Sequence, residues 1–317
     1  YILILLAVAL LGYYFILRTN DNISSGKKPF FGNLFPFGNN EVVTEVPFNG
    51  TPEIAPTNET GTFDQVVRLI SNEPVAGSIF VASSTKGTVI RYIEKATGHI
   101  FDVPTSENIN LRVSNTTIPQ IYRALFTENG DGFVAQYVKN DDDIETMYGK
   151  IVDGINEKTV VGTILSRNIT SFTVSPNGKT VFTLEKTQSG SEGYTMLPNG
   201  TNKKLVWNSP LREFIPQFIS DSHVGLQSKP HSSSYGVLFD VNTGTAGKSV
   251  LVGNQINLTT LPYPNKPYVL YANNSGLFSQ NTTNNTTTEL SPNTFPEKCV
   301  WAQTKTFIYC AVPRSTI

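Results

Sequence analysis

The stretch Ser175-Pro-Asn-Gly-Lys-Thr-Val-Phe-Thr-Leu184 contains a turn followed directly by an apolar segment, and it is the clearest indicator of the fold. Asn and Gly tolerate the positive φ angles that tight hairpins require, so Asn177-Gly178 predicts a turn between two antiparallel strands. The preceding apolar segment, ITSFTV, supplies the first of these strands. The stretch therefore predicts a strand–turn–strand unit.

Apolar segments of this kind recur along the chain, centred near residues 80, 135, 182, 226, 270 and 309. All but the first follow another apolar segment, and we take the six as second strands of a repeat. The tetrads Ile118–Ile121 and Ile215–Phe218 lie two repeats apart and are expected to open equivalent strands. Spacings of about 40 to 50 residues are typical of propeller blades and solenoids.

Turn residues divide each repeat further. Asn129-Gly130-Asp131-Gly132 is expected between first and second strands, as in the opening stretch. Between third and fourth strands we expect Thr97-Gly98, Asn199-Gly200 and Thr243-Gly244. Four antiparallel strands in about 45 residues describe a propeller blade. The sequence thus predicts an all-β fold, a β-propeller of about six to seven four-stranded blades over residues 63–317. Five repeats are nearly complete, and the sixth contains two strands.

The stretch Ser175–Leu184 resembles the Ser-Pro-Asp/Asn-Gly-Lys hairpin of propellers related to TolB and to the WD-repeat-like group. Over residues 63–317 the chain is similar to membrane-anchored bacterial propeller proteins. The resemblance is specific for fold and weak for function. The Trp-Asp dipeptide of true WD repeats is absent, so the hydrogen-bond network of those repeats is not implied.

Composition excludes several classes of protein. Hydrophobic residues make up 39% of the 317 residues and aromatic residues 11%, too many for a disordered chain. Charged residues are only 15%, and the net charge is -1, so no broad positive field attracts nucleic acid. We expect no cofactor, because no phosphate loop or dinucleotide fingerprint is present.

Residues 1–17 are apolar and carry no charge, and we interpret them as a single transmembrane helix, slightly shorter than a full span. A cleaved signal peptide and a buried core helix are the alternatives. The Ala-x-Ala at Ala7–Ala9 lies inside the apolar run rather than after it. Residues 18–62 are rich in Gly, Pro and Asn and have no periodicity, which predicts a flexible linker.

Two observations bear on which side of the membrane the folded part occupies. Arg18, Lys27 and Lys28 follow the apolar segment and weakly favour a cytoplasmic body. Many Asn-x-Ser/Thr sequons and a candidate disulfide favour an extracytoplasmic body, although an Asn- and Thr-rich chain also produces sequons by chance. We expect the extracytoplasmic location.

Cys299 and Cys310 flank the segment CVWAQTKTFIYC. A turn centred on Thr304 and Lys305 pairs position 299 with position 310, where opposed Cβ atoms are about 4.5–5.5 Å apart. That is close to the separation a disulfide requires. A disulfide and a pair of buried thiols remain alternatives, while a metal site lacks further ligands.

Other candidate sites are weaker. His99 lies at a predicted turn or strand end, and His223 and His231 are interpreted as solvated loop residues without metal spacing. The acidic run Asp141–Asp143 with Glu145 lacks the spacing of a Ca²⁺ loop and reads as a hairpin tip. Ser189–Gly193 reads as a turn, because it lacks the first Gly of a nucleophile elbow.

Two functions remain open. The first is a membrane-tethered extracytoplasmic propeller that binds a protein or peptide or acts as a scaffold, and this is the hypothesis we favour. The alternative is the propeller domain of a membrane-anchored hydrolase. The order of anchor and propeller resembles that of prolyl peptidases, whose catalytic domain would lie beyond Ile317. We find no catalytic constellation and do not expect an enzyme within this chain.

Overall fold

The structure is a computed structural model and describes residues 68–313 except 84–86, 108, 115, 141–142, 155–157, 292–293 and 303–306. Strands are the dominant secondary structure of the described residues, which confirms the all-β prediction. Two short 3-10 helices, Glu128–Gly130 and Pro296–Lys298, are the helices within these ranges.

The strands form consecutive antiparallel sheets that follow chain order. Sheet 1 contains β1 (Val75–Ser83), β2 (Gly87–Glu94), β3 (Ile100–Pro104) and β4 (Leu111–Ser114). Sheet 2 contains β5 (Ile121–Phe126), β6 (Gly132–Asn140), β7 (Asp143–Asp153) and β8 (Lys158–Ile164). Sheet 3 contains β9 (Ile169–Val174), β10 (Val181–Lys186), β11 (Ser191–Met196) and β12 (Lys204–Ser209).

The later sheets repeat this order. Sheet 4 contains β13 (Phe214–Ser220), β14 (His223–Ser228), β15 (Tyr235–Asn242) and β16 (Lys248–Ile256). Sheet 5 contains β17 (Thr259–Pro262), β18 (Tyr268–Asn273), β19 (Gly276–Asn281) and β20 (Thr286–Leu290). Sheet 6 contains β21 (Cys299–Trp301) and β22 (Ile308–Cys310). Outer strands β4 and β8 meet in one parallel pair, Ser114 with Lys158, which joins sheets 1 and 2.

First strands of neighbouring sheets pack on one another, β1 on β5, β5 on β9, β9 on β13 and β13 on β17. Five four-stranded sheets and a two-stranded sheet, with their first strands packed in sequence, form the blade order of a propeller. The five complete repeats and the shorter sixth are therefore confirmed for the described residues. The intact blade number of six to seven stays a prediction.

Burial explains why the repeat is visible in the sequence. Second strands β10, β14 and β18 are buried on both faces over four successive residues, so they read as continuous apolar runs. Fourth strands such as β8 and β20 are mostly exposed and are rich in Thr. The low charged fraction thus coexists with a sizeable core, because Thr, Ser and Asn fill the outer strands and turns.

The core consists of layers between facing sheets. Within the described residues, each of the five junctions between successive sheets holds its own apolar cluster. The junction of sheets 3 and 4 is aromatic: the Trp207 ring lies 5.2 Å from that of Phe214 and 5.3 Å from that of Phe239. Face-to-face packing of this kind holds each sheet against its neighbours.

Two details of the predicted repeat are wrong. Val75–Ser83, taken as a second strand, is the first strand of sheet 1, and Thr97-Gly98 joins second to third strand rather than third to fourth. Strands β1 and β2 are both apolar, so hydrophobicity alone does not show which of them is the first strand of sheet 1. The two tetrads do mark equivalent first strands, β5 and β13, although Ile118–Gln120 lies just before β5 and Ile215–Phe218 lies within β13.

Candidate functional site

Each sheet has two ends that differ in their connections. At the hairpin end, turns join first to second and third to fourth strands. At the connector end, turns join second to third strands, and connectors lead from each fourth strand to the next sheet. These two names are used below.

A cleft of about 530 Å³ opens at the connector end between sheets 3 and 4, and we call it the 3/4 cleft. Its inner walls are the starts of the first strands β9 and β13. Eight residues line it, namely Thr170, Ser171, Lys186, Arg212, Glu213, Phe214, Ile215 and Lys229. Its volume falls in the range of about 300–1,000 Å³ that is usual for ligand pockets.

Three cations border the 3/4 cleft. Lys186 ends the second strand β10, and its side chain has no ion pair or hydrogen bond within the described part of the chain. Arg212 lies in the connector before β13, and its Nη2 donates to the Gln188 carbonyl at 3.3 Å. Lys229 follows β14 and lies 3.1 Å from Glu213, with both side chains about two-thirds exposed.

A fourth cation lies on the neighbouring first strand. Arg123 of β5 places its guanidinium 4.9 Å from the centre of the Phe172 ring of β9. Burial lowers the pKa of Arg123, opposed by the nearby Tyr122. No carboxylate pairs with Arg123 among the described residues. The first strands near the connector end therefore carry further positive charge.

The sequence analysis did not name Lys186, Arg212 or Lys229. A signal was present, since Lys139, Lys186 and Lys229 occupy the same place in three successive repeats, at the end of the second strand. Periodicity shows that place but does not show which lysine stays unpaired. Lys139, for instance, lies 2.6 Å from Glu145.

The two cysteines lie directly opposite each other in sheet 6. The observed register pairs Cys299 with Cys310, Val300 with Tyr309 and Trp301 with Ile308, which confirms the predicted register. The structure joins the cysteines in a disulfide, with a Cα–Cα distance of 4.0 Å. The turn residues Thr304 and Lys305 lie outside the described residues.

The histidines are only partly as expected. His223 is not a freely solvated loop residue: it begins β14, and its Nδ1 lies 2.8 Å from the carboxylate of Asp240. His231 lies in the exposed turn after β14, as predicted. The Nε2 atom of His99 accepts a hydrogen bond from Arg112 at 2.7 Å. Burial and the Arg112 cation lower the pKa of His99.

The acidic run and the segment Ser189–Gly193 are the remaining candidates from the sequence. No group of three or more His, Cys, Asp or Glu side chains converges among the residues that the structure describes. Asp141 and Asp142 lie outside them, while Glu145 is bound to Tyr137 and Lys139. Ser189-Gly190 forms the turn between β10 and β11, as predicted.

The predicted anchor, residues 1–17, and the linker, residues 18–62, lie outside the described residues. Within the part that is described, no helix has the length and apolar character needed to cross a bilayer.

No protein-family model matches the chain, and no curated protein matches it. Among solved structures, it is similar to a putative TolB from Agrobacterium tumefaciens, with 10% identity and a TM-score of 0.48 over 67% of this chain and 80% of that one. It is also similar to the Swd1 β-propeller domain of Myceliophteria thermophila, with 10% identity and a TM-score of 0.47 over 70% and 75% of the two chains.

A puromycin hydrolase is a further similar structure, with 9% identity and a TM-score of 0.49, covering 68% of this chain and 38% of the hydrolase. TolB and other β-propellers are thus among the similar folds. Identities this low do not transfer a ligand or the role of any residue to this chain.

Proposed function

We propose that this chain is a membrane-tethered, extracytoplasmic binding module that holds a protein or peptide partner at the connector end of its propeller-like domain. The observation that carries the proposal is the 3/4 cleft, which is walled by first strands and bordered by three cations but only one carboxylate. Rigid strands that present loops and connectors at one end suit recognition, because the loops vary while the scaffold holds its geometry.

The hairpin end is a poorer candidate because its polar groups are already engaged. The backbone amide of Glu128 donates to the Gly178 carbonyl at 3.2 Å, between sheets 2 and 3. The amide of Asn177 donates to Asp221 Oδ1 at 2.9 Å, between sheets 3 and 4. These hydrogen bonds hold neighbouring sheets together, and a partner that bound the same groups would have to break them.

The membrane tether rests on the charge-free residues 1–17, and the extracytoplasmic location rests on the Cys299–Cys310 disulfide, since disulfides persist in oxidising compartments. Alkylation of intact cells before and after reduction tests the location. We expect both thiols to react only after reduction, and labelling without reduction contradicts an oxidising location.

Membrane fractionation tests the tether. The full chain should stay in the membrane fraction after alkaline carbonate extraction, whereas a chain that begins at residue 63 should be released. Release of the full chain under the same conditions contradicts a transmembrane tether.

Site-specific photocrosslinking tests the binding end. A photoreactive residue at Ile215, which is 38% exposed in the 3/4 cleft, is compared with one at Leu197, which is 41% exposed at the hairpin end. We expect a discrete partner adduct from position 215, suppressed by an excess of the unlabelled protein. Adducts of equal yield from both positions, or none from position 215, contradict the proposal. The hydrolase alternative stays a prediction.

A further inference from the structure

The 3/4 cleft differs in charge from three other clefts in the described part of the chain. Three cations and one carboxylate line it. A cleft of about 200 Å³ at the connector end of sheet 2 is lined by two cations, Lys139 and Arg167, and two carboxylates, Asp143 and Glu145. A third, beside sheets 5 and 6, has Glu289 as its charged residue. Positive charge is in excess only at the 3/4 cleft among these three.

The open groove at the hairpin end is also balanced. It is lined by two lysines and two carboxylates, and Lys179 lies 3.4 Å from Glu128 across it. Its volume of about 600 Å³ is similar to that of the 3/4 cleft, so the two differ in charge rather than in size. Excess positive charge is therefore a local property of the 3/4 cleft and not of the whole molecule, whose net charge is -1.

The cations of the 3/4 cleft are available for an anion. Lys186 is exposed and makes no ion pair within the described ranges. The Gln188 carbonyl holds Arg212 through one nitrogen and leaves its other N–H groups to donate. The exposed Lys229–Glu213 pair is weak, as surface pairs are, so Lys229 can exchange partners.

The walls of the cleft favour an apolar group beside the anion. Most of the accessible surface of the cleft is apolar, and the buried Phe214 and the partly exposed Ile215 are the two apolar residues that line it. The planar fork of an arginine matches a carboxylate, to which it donates two parallel hydrogen bonds. A ligand that carries a carboxylate next to an apolar side chain satisfies both features.

We infer that the 3/4 cleft binds an acidic peptide segment, in which a carboxylate meets Arg212 and Lys186 while a neighbouring apolar side chain packs on Phe214 and Ile215. This inference rests on the proposed binding function and specifies the chemistry of the partner. The carboxylate has two sources in a peptide, an acidic side chain or the free carboxyl terminus.

Isothermal titration of the full chain in detergent tests the inference with three tripeptides. The first is acetyl-Leu-Glu-Leu-amide, the second is its Gln analogue, and the third is the Gln analogue with a free carboxyl terminus. Hydrogen bonds to charged groups contribute about 1.5–3 kcal/mol, so a carboxylate peptide should bind at least about 10-fold tighter than the neutral one. The preference should shrink as salt is raised. The Glu peptide and the free-terminus peptide then identify which carboxylate the cleft prefers.

The double variant Lys186→Gln/Arg212→Gln should abolish this preference. Lys139→Gln is the matched control, because Lys139 occupies the corresponding place in sheet 2 but is paired with Glu145. Equal binding of all three peptides, or an undiminished preference in the double variant, overturns the inference. Crosslinking of a partner at position 215 together with equal peptide binding refutes the acidic ligand and leaves the binding function standing. A carboxylate preference without a crosslinked adduct at position 215 supports the acidic ligand and contradicts the proposed partner binding at this end.

Discussion

The hairpin end binds neighbouring sheets to one another, whereas the connector end leaves a charged cleft between sheets 3 and 4. At the hairpin end, a hydrogen bond crosses each of the five junctions in the described chain. The donors are Arg91, Glu128, Asn177, Asn265 and Tyr263, counted by junction from sheet 1 to sheet 6. Hydrogen bonds between sheets also occur near the connector end, where Ser171 Oγ donates to the Phe214 carbonyl at 3.2 Å, so the two ends differ in the open, positively charged cleft rather than in cohesion alone. Substitutions should separate the two: those at the hairpin end should lower stability, and those at the connector end should change binding.

Removal of Arg91 should have the largest effect. Its guanidinium makes a bidentate pair with Asp102, at 2.7 and 2.9 Å, and donates to the Gly130 carbonyl of sheet 2 at 2.9 Å. Both side chains are nearly buried, at 10% and 13% exposure. Arg91→Ala leaves Asp102 buried and unpaired, which should lower the free energy of unfolding by about 3–5 kcal/mol in denaturant titration.

A matched control for Arg91 is Lys158→Ala, which breaks the exposed pair with Asp153 and should cost about 0–1 kcal/mol. A double variant Arg91→Met/Asp102→Leu should recover much of the loss, because no unpaired charge remains. Equal costs for Arg91→Ala and Lys158→Ala would show that Arg91 does not stabilise the first junction through its contacts with Asp102 and Gly130.

Gly178→Ala should have the next largest effect. Gly178 has φ of +72°, and an added Cβ would lie 2.2 Å from the amide nitrogen of Glu128 in the neighbouring sheet. The strained conformation and the displaced turn should together cost about 2–3 kcal/mol. Gly87→Ala is the control, since Gly87 has φ of +67° but a Cβ added there would meet no atom within 4 Å beyond the adjacent residues. This substitution should cost about 1 kcal/mol or less. Similar losses of thermal stability in Gly178→Ala and Gly87→Ala would show that the close contact with sheet 2 is not the cause.

Asp221→Ala should lower stability by about 1 kcal/mol, the usual net value of one hydrogen bond. Its Oδ1 accepts from the Asn177 amide across the junction of sheets 3 and 4, opposite the 3/4 cleft. Asp221→Asn keeps an oxygen acceptor at this position and should restore most of the loss. A larger loss for the Asn variant than for the Ala variant would contradict the assigned hydrogen bond.

A pH dependence should arise at the connector end from His99. Burial and the Arg112 cation lower its pKa in the folded chain below the usual 6.5, so folding favours the neutral imidazole. The stabilisation is present above pH 6.5 and is lost as the pH falls below that value. Chemical denaturation between pH 7 and 5 should show this decline.

Two variants check that His99 is responsible. His99→Gln should flatten the decline, and Arg112→Gln should reduce it by removing the cation. An unchanged slope in His99→Gln would assign the pH dependence to other groups.

Lys186→Gln and Arg212→Gln should have the smallest effect on stability, within about 0.5 kcal/mol, because both side chains are exposed. Their role is then visible only in binding. A loss comparable to that of Asp221→Ala would show that these two cations also stabilise the fold and would weaken the contrast between the two ends.

The repeat could be read from the sequence because second strands are buried on both faces and stand out as apolar runs between Asn-Gly turns. The Cys299–Cys310 register followed from the same logic, since a hairpin register depends on the position of its turn. The order of strands in sheet 1 could not be read, because Val75–Ser83 and Gly87–Glu94 are both apolar and only their hydrogen-bonded neighbours distinguish them.

An all-β chain of about 45-residue repeats with turns at Asn and Gly could be predicted from the amino acids alone, because strand burial and backbone torsion are local properties. Which charges meet depends instead on tertiary packing. Lys186, Arg212 and Lys229 come from three separate segments of sheets 3 and 4, and they border one cleft only because β9 and β13 pack side by side. Charge balance at a site depends on such non-local neighbours, and these do not follow from the local pattern.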